Sequence, residues 1–150
     1  MFSISRFMQR FFKRIVTLGP IGYLKGSGTL ATVCAIPFVY FTSSSVALTL
    51  TLISFLLWAT VRSFSLFKKH DPSEVVSDEI IGFSVAMFGI VHSGWAYLAG
   101  FLLFRLFDIS KICGIKKVES LPGVTGVIMD DVVAGLYTNL LLRLGLWLLL

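Results

Sequence analysis

Apolar residues run along this chain in long blocks, Ala47 to Val61, Ile80 to Leu103 and Val132 to Leu150, several near the ~20 residues that a helix needs to cross a bilayer. Ahead of them, a glycine-rich stretch from Gly19 to Gly28 leads into an apolar helix expected over about 30–41. A longer helix is expected over about 46–67, after the link Thr42 to Ser45. Lys68-Lys69-His70-Asp71-Pro72 closes that unit. Pro72 suits the first position of a new helix, with Asp71 as its N-cap and Glu74 in its first turn. As one straight helix, residues 80–107 would rise ~42 Å at about 1.5 Å per residue, against a hydrocarbon core of ~30 Å. His92-Ser93-Gly94 lies at the middle and is expected to break this run into a hairpin whose halves, ~18–21 Å each, cross only in part. Leu121-Pro122-Gly123 and Gly126 mark a loop, and the last helix is expected after Asp130-Asp131.

The first sixteen residues have a different pattern. Arg6, Arg10, Lys13 and Arg14 interleave with Phe7, Phe11, Phe12 and Ile15 at helical spacing, which suits an amphipathic helix lying on an anionic membrane surface. A signal peptide fits less well, because Gly19-Pro20 and Gly22 interrupt the apolar region and no small-residue cleavage site follows.

Composition sharpens the picture: 56% of residues are hydrophobic and only 14% charged, which points away from a water-soluble globule and toward an integral membrane protein. The expectation is one membrane-embedded domain over residues 1–150, an all-α polytopic bundle of about four to six helices. Cys34 and Cys113 form neither a metal spacing nor a disulfide framework. Although 13 Lys and Arg outnumber 8 Asp and Glu, the basic residues do not build a nucleic-acid patch, and no protein partner is implied.

Charge placement carries more information than the net +5. Residues 1–70 hold no carboxylate, and all eight fall between Asp71 and Asp131. If residues 80–107 return as a hairpin, every carboxylate shares one side of the bilayer with the basic N-terminus, and the positive-inside rule makes that side the cytoplasm. Lys69, Arg105, Lys111, Lys116 and Lys117 would ring the acids there.

Hard oxygen ligands in that number suit Mg²⁺, which binds through a few carboxylates, waters and substrate phosphate. On a continuous helix, Asp71, Glu74 and Asp78 at i, i+3 and i+7 would share one face, with Glu79 beside them. Arg105, Asp108 and Lys111 set one acid between two cations able to hold a phosphate. Other phosphatase chemistries lack their residues. Tyr40 and Glu119 stand where a Cys-x₅-Arg loop needs arginine, and Asp-x-Asp, Arg-Pro and the Asp-Gly…Ala-Arg pattern of CDP-alcohol transferases are missing. Metal-activated water and an aspartate nucleophile both remain open. So does a transporter or channel subunit whose intramembrane acids coordinate an ion, or an inactive scaffold. Plainer roles compete residue by residue: Asp71 and Asp130 as helix caps, Lys116-Lys117 as a headgroup contact, His92 as an interhelical hydrogen-bonding group, Arg143 as a snorkelling or internally paired cation, Thr29 as a turn support.

Three motifs occur in order. Asp71-Pro72-Ser-Glu-Val-Val76-Ser-Asp78-Glu79-Ile-Ile-Gly82 is followed by Phe104-Arg105-Leu-Phe-Asp108-Ile-Ser-Lys111, and then by Leu121-Pro122-Gly123-Val-Thr-Gly126-Val-Ile-Met-Asp130-Asp131-Val-Val-Ala134-Gly135. Over roughly residues 17–140 the sequence resembles the phosphatidylglycerophosphatase A family. The resemblance implies an all-α, Mg²⁺-dependent lipid phosphatase of the bacterial inner membrane, converting phosphatidylglycerophosphate to phosphatidylglycerol and phosphate. With the residue chemistry, it assigns Asp78, Glu79, Asp108 and Asp131 to catalysis, and Asp71, Asp78, Glu79, Asp108, Asp130 and Asp131 to the metal. Arg105, Lys111, Thr29 and Lys69 are assigned to the substrate, and anionic headgroups are expected as further partners. The chain departs from the family pattern at Ile112, at Val124 and in Gly26-Ser27-Gly28-Thr29, changes that touch loop stiffness rather than the acids.

Overall fold

The computed structural model describes residues 2–67, 73–112 and 114–149. Among these residues there are seven α-helices and no strand: α1 (Phe2–Val16), α2 (Ser27–Thr42), α3 (Val46–Ser63), α4 (Ser77–Met87), α5 (Gly94–Ser110), α6 (Ile115–Glu119) and α7 (Val124–Leu149). The all-α expectation holds. The count exceeds four to six partly because α6 has five residues, too few to show a periodicity. Among the described residues two segments are long and apolar enough to cross a membrane: Val46–Leu66, which is α3 extended by a 3₁₀ turn, and Val124–Leu148 of α7. Large apolar side chains stand outward on several helices, among them Phe38, Phe41, Phe55, Leu102, Leu106 and Leu140, a surface suited to hydrocarbon rather than water.

The break in residues 80–107 falls where the turn residues put it. Gly89, at φ +66°, turns the chain after α4, and Ser93 starts α5 by accepting a hydrogen bond from the Ala96 N–H at 3.1 Å. The two arms differ in length, ~17 Å for α4 and ~26 Å for α5. At the turn, His92 Nε2 lies 3.0 Å from both Ser43 Oγ and the Tyr40 carbonyl, and Ser43 Oγ lies 2.8 Å from the Tyr97 hydroxyl. His92 thus ties the hairpin to the end of α2, the interhelical role expected of it.

An 11-residue helix leaves its last carbonyl groups without intrahelical partners. Side chains of α7 take them. Asn139 Nδ2 donates to the carbonyls of Ala86 (2.8 Å) and Phe88 (2.9 Å), and Arg143 donates to Phe88 at 2.9 Å and to Asn139 Oδ1 at 2.7 Å. Arg143 is therefore internally paired.

Glycines set how closely α4 and α7 approach. A Cβ on Gly82 would stand 2.5 Å from the Asp131 carbonyl oxygen and 2.8 Å from the Phe104 ring, and one on Gly135 would land on the Gly82 carbonyl. Around this crossing, Phe83, Ile81, Met87 and Phe104 form the fully buried centre of the core.

Two helix starts differ from the sequence reading. Asp71, Pro72 and Lys69 lie outside the described residues, but the helix expected from Pro72 begins at Ser77, after a turn at Ser73-Glu74 and a non-helical Val75-Val76. The Val76 N–H donates to the Val16 carbonyl at 2.8 Å, and Val75 packs with Phe12, Val16 and Ala59. Two β-branched residues buried against α1 and α3 favour a non-helical backbone over another helical turn. Glu74 and Asp78 consequently share no helix face. Helix α7, in turn, begins at Val124 rather than after Asp131, because Gly123 (φ +68°) completes the loop and Gly126 fits against the carbonyls of Glu119 and Leu121. Asp130 and Asp131 lie inside α7, so Asp130 does not cap it.

Widening the glycine crossing should destabilise the protein. Gly135→Val is expected to cost about 1–3 kcal/mol or more by overpacking, whereas Gly145→Ala, with nothing within 4 Å of the new Cβ, should be neutral or slightly stabilising. Thermal unfolding of both variants in detergent checks this, and equal midpoints would count against the crossing as a close contact.

Candidate functional site

The hairpin returns the chain to the end from which α4 departs, so the head of α4, the tail of α5 and an early turn of α7 meet around a cavity of about 310 Å³. Into it come Asp78 and Glu79 from α4, Arg105 and Asp108 from α5, Lys111 just past α5, and Asp130 and Asp131 from α7. Gly28 supplies the floor. A Cβ there would land on Glu79 Oε1 and come within 3.1 Å of an Arg105 guanidinium nitrogen, so only glycine leaves room for that carboxylate.

Within the cavity the acids divide into two sets. Asp78, Glu79 and Asp131 each offer a carboxylate oxygen, and these atoms all lie within 4.8 Å of one another. Asp78 Oδ1, Glu79 Oε2 and Asp131 Oδ1 are buried without a hydrogen-bond partner, although Asp131 is only 3% exposed. Asp108 and Asp130 are occupied instead. Arg105 pairs with Asp108, Lys111 pairs with Asp130, and Lys111 Nζ also lies 3.6 Å from Asp108 Oδ1 and 3.8 Å from Glu119 Oε1. Asp130 further accepts from the Asp131 N–H at 2.9 Å.

Backbone conformation aims Lys111 into this network. It caps the C-terminus of α5 in the left-handed region, φ +49°, a conformation that a residue with a side chain adopts only when its surroundings enforce it. Burial alone would lower its pKa, but the hydrogen bond to Asp130 and the charges of Asp130, Asp108 and Asp131 outweigh that and raise it above the ordinary lysine range. Asp78 heads α4, outside both long apolar segments. Burial first, then the charges of Glu79 and Asp131, hold its carboxyl well above the usual carboxylate range.

Five carboxylates thus face two cations, and the three that lie within 4.8 Å of one another each keep one buried oxygen without a hydrogen-bond partner. Unpartnered oxygens in a pocket with more carboxylates than cations suit a hard divalent ion such as Mg²⁺. Arg105 Nε, buried and likewise unpartnered, keeps a donor free beside them, which suits a phosphate oxygen.

Seven of the residues singled out from sequence therefore meet in one cavity, but in different settings. Asp108 and Asp130, expected among the metal ligands, are paired with cations, and Asp108 lies close enough to Asp131 and Glu79 for its charge to act on both. Asp71 and Lys69 lie outside the described residues. Thr29 does not line the cavity; its neighbours Gly26, Ser27 and Gly28 do, with Ser27 Oγ donating to the Ser73 carbonyl at 3.2 Å. Lys116 and Lys117 are exposed on α6, away from the cavity lining. Gly28 was readable only as part of a Gly-Ser-Gly turn, because its role depends on a side chain 51 positions later.

Comparison with known proteins gives a consistent picture. The family model described as phosphatidylglycerophosphatase A matches residues 14–146. A Bacteroides thetaiotaomicron protein provisionally named a phosphatidylinositol-3-phosphatase is 38% identical over 94 residues, 61% of this chain and 58% of that protein. The Haemophilus influenzae phosphatidylglycerophosphatase A is 39% identical over 70 residues, 45% of this chain and 43% of that protein. The matched region thus spans about half the length of these curated relatives. No solved structure matches the chain. With its family model covering nearly the whole sequence and the acid and cation motifs meeting in one cavity, the chain belongs to the phosphatidylglycerophosphatase A family.

Proposed function

We propose that the protein is a Mg²⁺-dependent phosphatase that hydrolyses phosphatidylglycerophosphate to phosphatidylglycerol and phosphate, from the cytoplasmic face of a bacterial inner membrane that it crosses more than once. The observation that carries this reading is the group of Asp78, Glu79 and Asp131 carboxylates, within 4.8 Å of one another and each with a buried, unpartnered oxygen, beside two cations. The relatives' names support it, since both describe phosphatases of phosphatidyl lipids.

In this reading Asp78, Glu79 and Asp131 hold the ion. When bound, Mg²⁺ polarises a phosphoryl oxygen and lowers the pKa of its water. Arg105 and Lys111 bind the phosphomonoester and stabilise the charge that grows on it. Asp108 and Asp130 act on those cations, fixing the guanidinium and the ammonium where the phosphate arrives. Ile109 lines the cavity yet is 69% exposed on α5, so the cavity borders the apolar surface along which an acyl-bearing substrate can approach. An ion-conducting role is the weaker reading: Asp78, Glu79 and Asp108 stand at helix ends rather than midway along a long apolar segment, and Asp108 and Asp130 are paired with cations suited to phosphate.

Asp78→Asn and Asp131→Asn should each lower turnover 100-fold or more while the protein still folds and inserts, since each removes one charged ligand (~10² or greater loss). Phosphate release from phosphatidylglycerophosphate by the purified protein, with Mg²⁺ and with excess chelator, checks this. Full activity in chelator would contradict it.

Arg105→Lys separates phosphate binding from simple pairing with Asp108. Lysine keeps the charge but loses the planar donor set, so a phosphate role predicts a loss of ~2–4 kcal/mol in transition-state stabilisation, mostly in kcat. An intrahelical pair alone would lose only about 0.2–0.5 kcal/mol. Values of kcat and KM within threefold of wild type would make Lys111 the principal phosphate ligand.

A further inference from the structure

A second cavity, larger than the acid cavity and separate from it, lies between α1 and the turn that follows. It has a volume of about 550 Å³ and is lined by Arg10, Lys13, Arg14, Thr17 and Tyr23 among others. A smaller one of about 270 Å³, lined by Phe7, Phe11 and the same two arginines, lies beside it. Arg10 and Arg14 therefore face a basic hollow on one side and an aromatic groove on the other. Phe7 is 72% exposed and Phe11 51%.

Among the described residues neither arginine has an ion-pair partner. The ion pairs among the described residues all belong to the acid cavity, and the first 70 residues contain no carboxylate. Lys13 is held in place over the Phe67 ring at 4.9 Å. The scaffold beneath is fixed: Phe12 and Val16 are buried, and Phe12 packs edge-on against Trp58 of α3 at 4.6 Å. Cations on a rigid support beside exposed aromatic rings match a ligand with a negative head and an apolar tail. A free anion would leave the aromatic groove unused, and a nucleic acid would find only three cations.

We infer that Arg10, Lys13 and Arg14 form a binding site for the phosphate of an anionic phospholipid whose acyl chains lie against Phe7 and Phe11, distinct from the cavity that holds the acids. The site is on the same end of the molecule as that cavity, because Val16 accepts from the Val76 N–H at 2.8 Å and Gly22 packs against the Glu74 carbonyl, two to four residues before Asp78. The occupant is thus a lipid of the leaflet that the acid cavity faces, and its binding does not depend on the phosphatase reading.

The test is native mass spectrometry of the full-length protein purified in neutral detergent and titrated with phosphatidylserine or phosphatidylcholine. Wild type should retain one phosphatidylserine in preference to phosphatidylcholine. Arg10→Gln combined with Arg14→Gln, both exposed positions, should weaken that retention about 10-fold or more, as expected for two charges near a headgroup. The control Lys25→Gln with Arg62→Gln removes the same charge from exposed positions that line neither hollow and should leave retention unchanged. Equal retention of the two lipids, equal loss in the control, or no loss in the arginine variant would each overturn the site. Displacement of phosphatidylserine by millimolar inorganic phosphate would overturn the choice of a lipid occupant. Because no turnover is measured, failure here is distinguishable from failure of the proposed reaction.

Discussion

Three carboxylates buried within 4.8 Å of one another repel, and that repulsion is what the rest of the structure must overcome. At an effective dielectric of about 20, two unit charges at that separation cost about 3 kcal/mol, and three such pairs approach the whole stability of a typical domain, about 5–15 kcal/mol. Arg105 beside Glu79 and Lys111 acting on Asp131 relieve it only in part, because the same cations pair with Asp108 and Asp130. The acids must be neutralised by protons or by a cation, and something other than their own contacts must hold them together.

The helix packing supplies that force. Gly82 and Gly135 let α4 and α7 approach until the backbone of one touches the backbone of the other, which brings Asp78 and Glu79 beside Asp131. Asn139 and Arg143 fasten the far end of α4 by taking its last carbonyls, so the short helix is fixed at both ends of its contact with α7. At the near end, Val76 is hydrogen-bonded to Val16 and Ser77 Oγ lies 2.7 Å from Thr60 Oγ1, which locks the residues just before Asp78 onto α1 and α3. Packing elsewhere thus holds this one electrostatically unfavourable site together.

What the sequence disclosed follows the physics of each feature. The hairpin break was legible because Ser93-Gly94 is a local signal and because an unbroken helix would overshoot a bilayer. The gathering of Asp78, Glu79, Arg105, Asp108, Lys111, Asp130 and Asp131 followed once the hairpin put their segments at one end. The starts of α4 and α7 were not legible, because Asp71-Pro72 and Asp130-Asp131 both look like helix heads locally. Burial of Val75 and Val76 against α1 decides the first case, and the fit of Gly126 among carbonyls decides the second. Nor could spacing divide the acids into a converging trio and a cation-bound pair, since that division depends on which oxygens the cations reach. The functions of Gly28, Gly82 and Gly135 are likewise set by atoms distant in sequence.

The central claim is that Asp78, Glu79 and Asp131 form a strained cation site. The thermal stability of wild type and Asp131→Asn, each with and without Mg²⁺, tests it without reference to turnover. In metal-free protein Asp131→Asn should melt higher than wild type, because one repelling carboxylate is gone. With free Mg²⁺ ~100 times its dissociation constant, wild type should gain about 2.7 kcal/mol and overtake the variant, which gains little. If Asp131→Asn is destabilised equally in both conditions, and Mg²⁺ leaves the wild-type midpoint where it was, these acids are ordinary structural groups and the account is wrong.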